Sequence, residues 1–189
     1  MDNIETIVLC KDGSNFTIND KESAFLFAAQ CGNFGATYFL LNNGVNVHYQ
    51  DDQALFYACG NGYIEIVKLL VSYGADVNKG LAVACQEGHE EVVKILLKDG
   101  LDYDEALGLA CQRGHLAIVK LLCQRGANIH SRDEGPLLVA IDRGHVQIVE
   151  YLLKRGANGQ NGIIIAVENN NIEMVKLLRK FIVKSRNKL

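Results

Sequence analysis

The sequence predicts an all-α solenoid of about six stacked helix-turn-helix repeats, preceded by a short N-terminal β-hairpin. Three observations carry the prediction. A related block recurs six times along the 189 residues. Within each block, apolar residues return at helical spacing on one face. Each block also contains glycine or asparagine stops at fixed intervals, where a helix must end.

The N-terminal segment stands apart from the repeats. Ile4 to Cys10 and Asn15 to Ile18 alternate apolar and polar residues around Lys11-Asp12-Gly13-Ser14, a turn-forming tetrad, and predict a β-hairpin. We take residues 1–20 as this hairpin, a cap over the open apolar face of the first helix pair.

The repeats begin at residue 21 and run to the end, at about 21–50, 51–78, 79–102, 103–132, 133–158 and 159–189. Each first helix carries an alanine: Ala28, Ala58, Ala84, Ala110, Ala140 and Ala166. Four residues later stands Gly32, Gly62, Gly88, Gly114 or Gly144, with Asn170 in the last copy. Glycine and asparagine tolerate the left-handed backbone that closes a helix and turns the chain. A second apolar stripe follows, for example Ile66, Val67, Leu69 and Leu70, or Ile118, Val119, Leu121 and Leu122. Gly44, Gly74, Gly100, Gly126 and Gly156 stop this second helix. One such hairpin cannot bury both its faces, so the copies must stack. Cys59, Cys85 and Cys111 recur beside the alanines and fit a small core position better than a disulfide.

Gly88-His89, Gly114-His115 and Gly144-His145, the Ile-Val-x-x-Leu-Leu second helices, and Gly74-Ala75-Asp76-Val77-Asn78 together resemble the ankyrin repeat. The resemblance spans roughly residues 21 to 184. Successive alanines lie 30, 26, 26, 30 and 26 residues apart, shorter than the ankyrin unit of about 33. The residues lost come from the loops between pairs, so the projecting β-fingers of the family are expected to be stunted. Trimmed repeats of this kind resemble those of ankyrin proteins from large DNA viruses. Pro136, the single proline, sits where it can begin a helix.

The composition excludes several functional classes. Net charge is −3 and nearly half the residues are apolar, which is ordinary for a folded domain and gives no electrostatic reason to expect nucleic acid. The start lacks a signal peptide and no apolar run approaches the length of a membrane helix, so an intracellular protein, cytoplasmic or nuclear, is expected. The C-terminal run Lys176, Arg179, Lys180, Lys184, Arg186 and Lys188 reads as the solvated face of a last helix, with a contact for nucleic acid or an acidic partner as the alternative.

No catalytic motif is present, and neither a cofactor nor a small-molecule ligand is expected. There is no phosphate-binding glycine loop, nucleophile elbow or zinc-protease helix. Three of the five histidines occupy the same turn in successive repeats. Stacking would set them on the order of 10 Å apart, whereas a zinc ligand bond is roughly 2 Å. The ankyrin resemblance implies instead that this histidine ties the turn to neighbouring backbone.

The resemblance further implies a non-catalytic scaffold that binds a partner protein along a concave groove, made by loops and by the two residues before each first-helix stop. Those positions include Gln30, Asn61, Gln86, Glu87, Gln112, Arg113, Asp142, Arg143, Glu168 and Asn169. They are polar and differ between copies whose framework is nearly constant, as a surface free to specialise would. The loops add Tyr49, Asp52, Tyr103, Asp104 and Arg132, with the tyrosines expected as exposed anchors. The acidic edge favours a partner with a basic patch. A monomer is expected. The alternative reading is an adaptor to ubiquitin machinery, since the hairpin ending at Phe16 resembles the opening of BTB-type domains.

Overall fold

The computed structural model describes the backbone of residues 6–9, 15–18 and 20–186 and the side chains of residues 20–183. Among these residues are two short strands and twelve α-helices. Strands β1 (Thr6–Leu9) and β2 (Asn15–Ile18) pair antiparallel, with Val8 opposite Phe16. The Lys11-Asp12-Gly13-Ser14 turn, the side chains of the strands and hence the capping contacts expected of residues 1–20 lie outside the described residues. So do the side chains of Lys184, Arg186 and Lys188.

The chain forms two compact units, Met1–Lys98 and Asp99–Leu189. In the first, three helical hairpins follow one another: α1 (Lys21–Gln30) with α2 (Phe34–Asn42), α3 (Tyr49–Gly60) with α4 (Ile64–Ser72), and α5 (Asn78–Glu87) with α6 (Glu90–Leu96). First helix packs on first helix, α1 on α3 on α5, and second on second, α2 on α4 on α6. Ala28, Ala58 and Ala84 are fully buried, with Phe25, Leu40, Leu55, Leu70 and Leu96 filling the space around them.

The second unit repeats the plan with α7 (Asp104–Arg113) and α8 (Leu116–Gln124), α9 (Ser131–Asp142) and α10 (Val146–Lys154), and α11 (Gly162–Glu168) and α12 (Ile172–Arg186). Here α9 lies against both α7 and α11, and α10 against α8 and α12. Its core is built on Leu107, Ile118, Leu122, Leu137, Ile141 and Ile148, again around fully buried alanines, Ala110, Ala140 and Ala166.

The first-helix stops behave as their residue types require. Gly62 and Gly114 have φ of 71° and 85°, and Asn170 takes the same hand at 52°. A second constraint acts at the two glycines. A Cβ at Gly62 would stand 2.7 Å from His89 Nδ1, and one at Gly114 2.7 Å from His145 Cε1. Glycine is needed both for the turn and for the ring that packs on it.

The difference between long and short copies has a conformational origin. In each long copy, three consecutive non-glycine residues are left-handed: Gln50, Asp51 and Asp52 at φ 49°, 58° and 61°, and Arg132, Asp133 and Glu134 at 50°, 55° and 67°. Such residues cost roughly 1–2 kcal/mol each. Side chains hold the turn closed, His48 Nδ1 lying 3.1 Å from Asp52 Oδ1 and His130 Nδ1 2.6 Å from Glu134 Oε1. Regular helix then resumes near Pro136, where a missing N–H costs nothing. Between residues 20 and 186 the connections contain no strand, so the β-fingers are absent from this stretch.

Cys59, Cys85, Cys111 and Cys123 are buried free thiols. Cys31, outside the recurring alanine-cysteine column, is disulfide-bonded.

Candidate protein-binding surface

The surface is made by the ends of the first helices, and these ends are fixed by bonds between successive pairs. His89 stands at the start of α6 without capping its own helix, and its Nε2 lies 2.9 Å from the carbonyl oxygen of Gly60. His145 does the same at 3.0 Å to the carbonyl of Gln112. A carbonyl only accepts, so Nε2 carries the proton in both. The loops are held in register by a parallel device. Asp52 Oδ1 accepts from the backbone N–H of Asp76 at 3.2 Å, and Asp104 Oδ1 accepts from that of Asn128 at 3.1 Å. Asp76 and Asn128 in turn accept from the N–H two residues on, so each loop is a closed Asx turn.

On this frame, most of the predicted polar residues face solvent. In the first unit Gln30, Asn61 and Glu87 are exposed and Gln86 is half-buried. Gln86 Nε2 donates to Glu87 Oε1 at 2.8 Å, and Asn61 Nδ2 donates to the Tyr57 carbonyl of its own helix at 2.9 Å. In the second unit Arg113, Asp142, Arg143, Glu168 and Asn169 are exposed. Asn169 Nδ2 reaches Asp142 at 3.2 Å, and Arg143 Nε lies 3.7 Å from the same carboxylate, so Asp142 joins the ends of α9 and α11.

Two predicted loop residues are not surface groups. Asp52 is 4% exposed, turned inward by its bonds to Asp76 and His48. Tyr103 is 5% exposed. It occupies the apolar loop column held elsewhere by Val47 and Val77, both also buried, and is a core residue rather than an exposed anchor. Tyr49 is half-buried, with its hydroxyl 3.3 Å from Gln50 Nε2.

Three predicted residues do come together. Asp104, Gln112 and Arg132 line one open cleft of about 280 Å³ between α7 and α9, with Glu105, Gly108, Leu109, Ser131, Gly135, Pro136 and Val139 completing its wall. That volume is at or below the low end of small-molecule sites, about 300–1,000 Å³.

Profiles of known families place the chain. The family described as ankyrin repeats (3 copies) matches residues 2–80, 78–133 and 107–188. The chain belongs to the ankyrin repeat family. It is similar to an ankyrin repeat protein of Acanthamoeba polyphaga mimivirus, with 36% identity over 64 residues, 34% of this chain and 14% of that protein. The chain thus spans a small part of that viral relative's length. Among solved structures it is similar to the human ASB11 ankyrin repeat domain, at a TM-score of 0.73 and 27% identity over 83% of this chain and 82% of that one. The ankyrin family is generally a non-catalytic interaction scaffold, and its repeats bind protein partners.

The ankyrin frame also explains what the sequence reading passed over. Glu105, Gly108, Leu109 and Val139 were not singled out, although a signal exists. Aligned on the recurrent alanine, Gly108 stands where the other copies carry Leu26, Phe56, Ala82, Leu138 and Ile164. It is the single glycine in that column. Among the described residues no group of three or more His, Cys, Asp or Glu is placed to hold a metal, and no helix is long and apolar enough to cross a membrane.

Proposed function

We propose that this chain is a protein-interaction scaffold that grips one partner through the polar ends of its first helices and the adjoining loops. The observation that carries this reading is a contrast within each unit. The buried columns of alanine, leucine and valine repeat almost unchanged, while Gln30, Asn61 and Glu87, and Arg113, Asp142 and Glu168, are exposed and differ from copy to copy. Packing does not dictate those side chains, so they are available to a partner's surface.

The loop acids, Asp51 and Asp76 in one unit and Asp102, Asp104 and Asp133 in the other, favour a partner with a basic patch, with charge guiding encounter more than it sets affinity. The scaffold acts in the cytoplasm or nucleus and as a monomer.

The test is retention of proteins from a lysate by the intact chain and by a variant with alanine at Gln86, Glu87, Gln112 and Arg113, after circular dichroism has shown both folded. A protein held by the first and lost by the second supports the reading. Equal retention by both would move the contact away from the helix ends.

A further inference from the structure

The cleft between α7 and α9 is open where α7 lacks a side chain at Gly108. A Cβ at Gly108 would meet nothing within 4 Å; Gly135 on α9 lines the same cleft, but a Cβ there would stand 3.2 Å from the Cβ of Arg132. Other first helices fill the Gly108 position with Phe56, Leu138 or Ile164, and the Gly135 position with Gln53, Lys79 or Asn161. The cleft's apolar lining is Leu109 and Val139, both half-buried, and the buried Pro136.

The chemistry of the cleft is asymmetric. Its floor is apolar, whereas the end formed by the start of α7 bears Asp104 and Glu105. Arg132 is the one basic residue in the lining, against these two acids, and Asp102 and Asp133 are exposed beside them in sequence. The net field at that end is negative. A carboxylate guest would meet repulsion, and a purely apolar guest would strip water from two acids with nothing to offset the loss. A guest with a long apolar stem and a cationic tip matches both parts, because lysine and arginine lay their methylenes on apolar surface while the charge stays wet.

We propose that this cleft receives a single lysine or arginine side chain of the protein partner, its stem on Leu109, Pro136 and Val139 and its cation at Asp104 and Glu105. The proposal rests on the scaffold reading above and names the chemistry that one part of that surface selects.

The test is a nuclear magnetic resonance titration of the full chain, methyl-labelled at leucine and valine, with three blocked tripeptides: Gly-Lys-Gly, Gly-Leu-Gly and Gly-Glu-Gly. The lysine peptide should shift the Leu109 and Val139 methyls saturably, more than the leucine peptide does and less as salt is added. Glu105→Gln should weaken that response about two- to fivefold, the range of a solvent-exposed charge pair. Gly108→Leu, which fills the cleft without meeting a neighbour at Cβ, should abolish it while leaving the fold intact. The absence of saturable shifts at these methyls, or equal shifts with the glutamate peptide, would overturn the proposal.

The two readings fail separately. A silent cleft on a chain whose helix-end variant loses a partner removes this inference and leaves the scaffold standing. A responsive cleft on a chain that retains no protein removes the scaffold reading, and with it the partner, and leaves only a cleft that prefers a cationic side chain.

Discussion

The carboxylate of Asp52 accepts a hydrogen bond from the backbone N–H of Asp76, 24 residues further on, at 3.2 Å. The bond fastens the start of one first helix to the loop that opens the next pair. With the His48 contact on the same carboxylate, it keeps a charged group satisfied at 4% exposure.

Replacing Asp52 with alanine leaves the Asp76 N–H without its acceptor and frees the left-handed turn that His48 helps to close. Loss of a bond at a part-buried site costs about 1–3 kcal/mol. Urea unfolding should show a lower midpoint of that size, with the first unit affected more than the second when hydrogen exchange is followed residue by residue.

The contact between Gly62 and His89 makes a second prediction. Gly62→Ala places a methyl on a left-handed residue and drives it into the imidazole, so a loss of about 1–3 kcal/mol is expected. In a His89→Ala background the steric part disappears, and the glycine substitution should cost measurably less. A double-mutant cycle that came out additive would show that the ring and the glycine do not press on each other.

The buried thiols give a pH dependence with a definite sign. Burial pushes Cys59 and Cys85 from the ordinary thiol value of 9.0 up to about 12. Below pH 9 these thiols are neutral in both the folded and the unfolded chain and contribute nothing to pH dependence. Between 9 and about 12 only the unfolded chain ionises them, so stability falls as pH rises, by up to about 1.4 kcal/mol per thiol per pH unit. Stability measured across this window should fall less steeply for Cys59→Ala. At neutral pH, mass spectrometry should find both thiols unalkylated until the chain is unfolded.

At Gly108 the expected sign is reversed. The residue lies inside α7 with no contact for a Cβ to disturb, so Gly108→Ala should stabilise the chain by about 1 kcal/mol, the helix-propensity difference. A rise in melting temperature here, where most substitutions of a glycine at a turn lower it, would mark the position as one not chosen for stability.

The sequence made the repeating frame legible because repetition multiplies weak signals. No single alanine or glycine specifies a helical hairpin, but the column from Ala28 to Ala166 and the stops from Gly32 to Asn170 agree with one another six times over. The left-handed turns at Gln50 to Asp52 and Arg132 to Glu134 were hidden because none of these residues is glycine, and what holds them is a side-chain bond four residues away. Asp52 looked like a surface acid because its burial depends on a partner in the next repeat. Tyr103 looked like an anchor because it was judged by residue type, while its column, shared with Val47 and Val77, is apolar. The cleft was invisible for a related reason, since it opens at what Gly108 lacks.

The interval between Asp52 and Asp76 is also the interval between Asp104 and Asn128, although the first pair follows a long copy's turn and the second a short copy's. The four residues that distinguish the two lengths, around Gln50 to Asp52 in one case, fall between the loop asparagine or aspartate and the acid that follows it, outside the span the bond bridges. Twelve nucleotides gained or dropped at that point would leave the span between Asp52 and Asp76 unchanged, whereas in the second long copy the equivalent acid, Glu134, bonds His130 and its Oε2 is buried without a partner. The length of a unit and the joint that fastens it are thus separate properties, set by different residues.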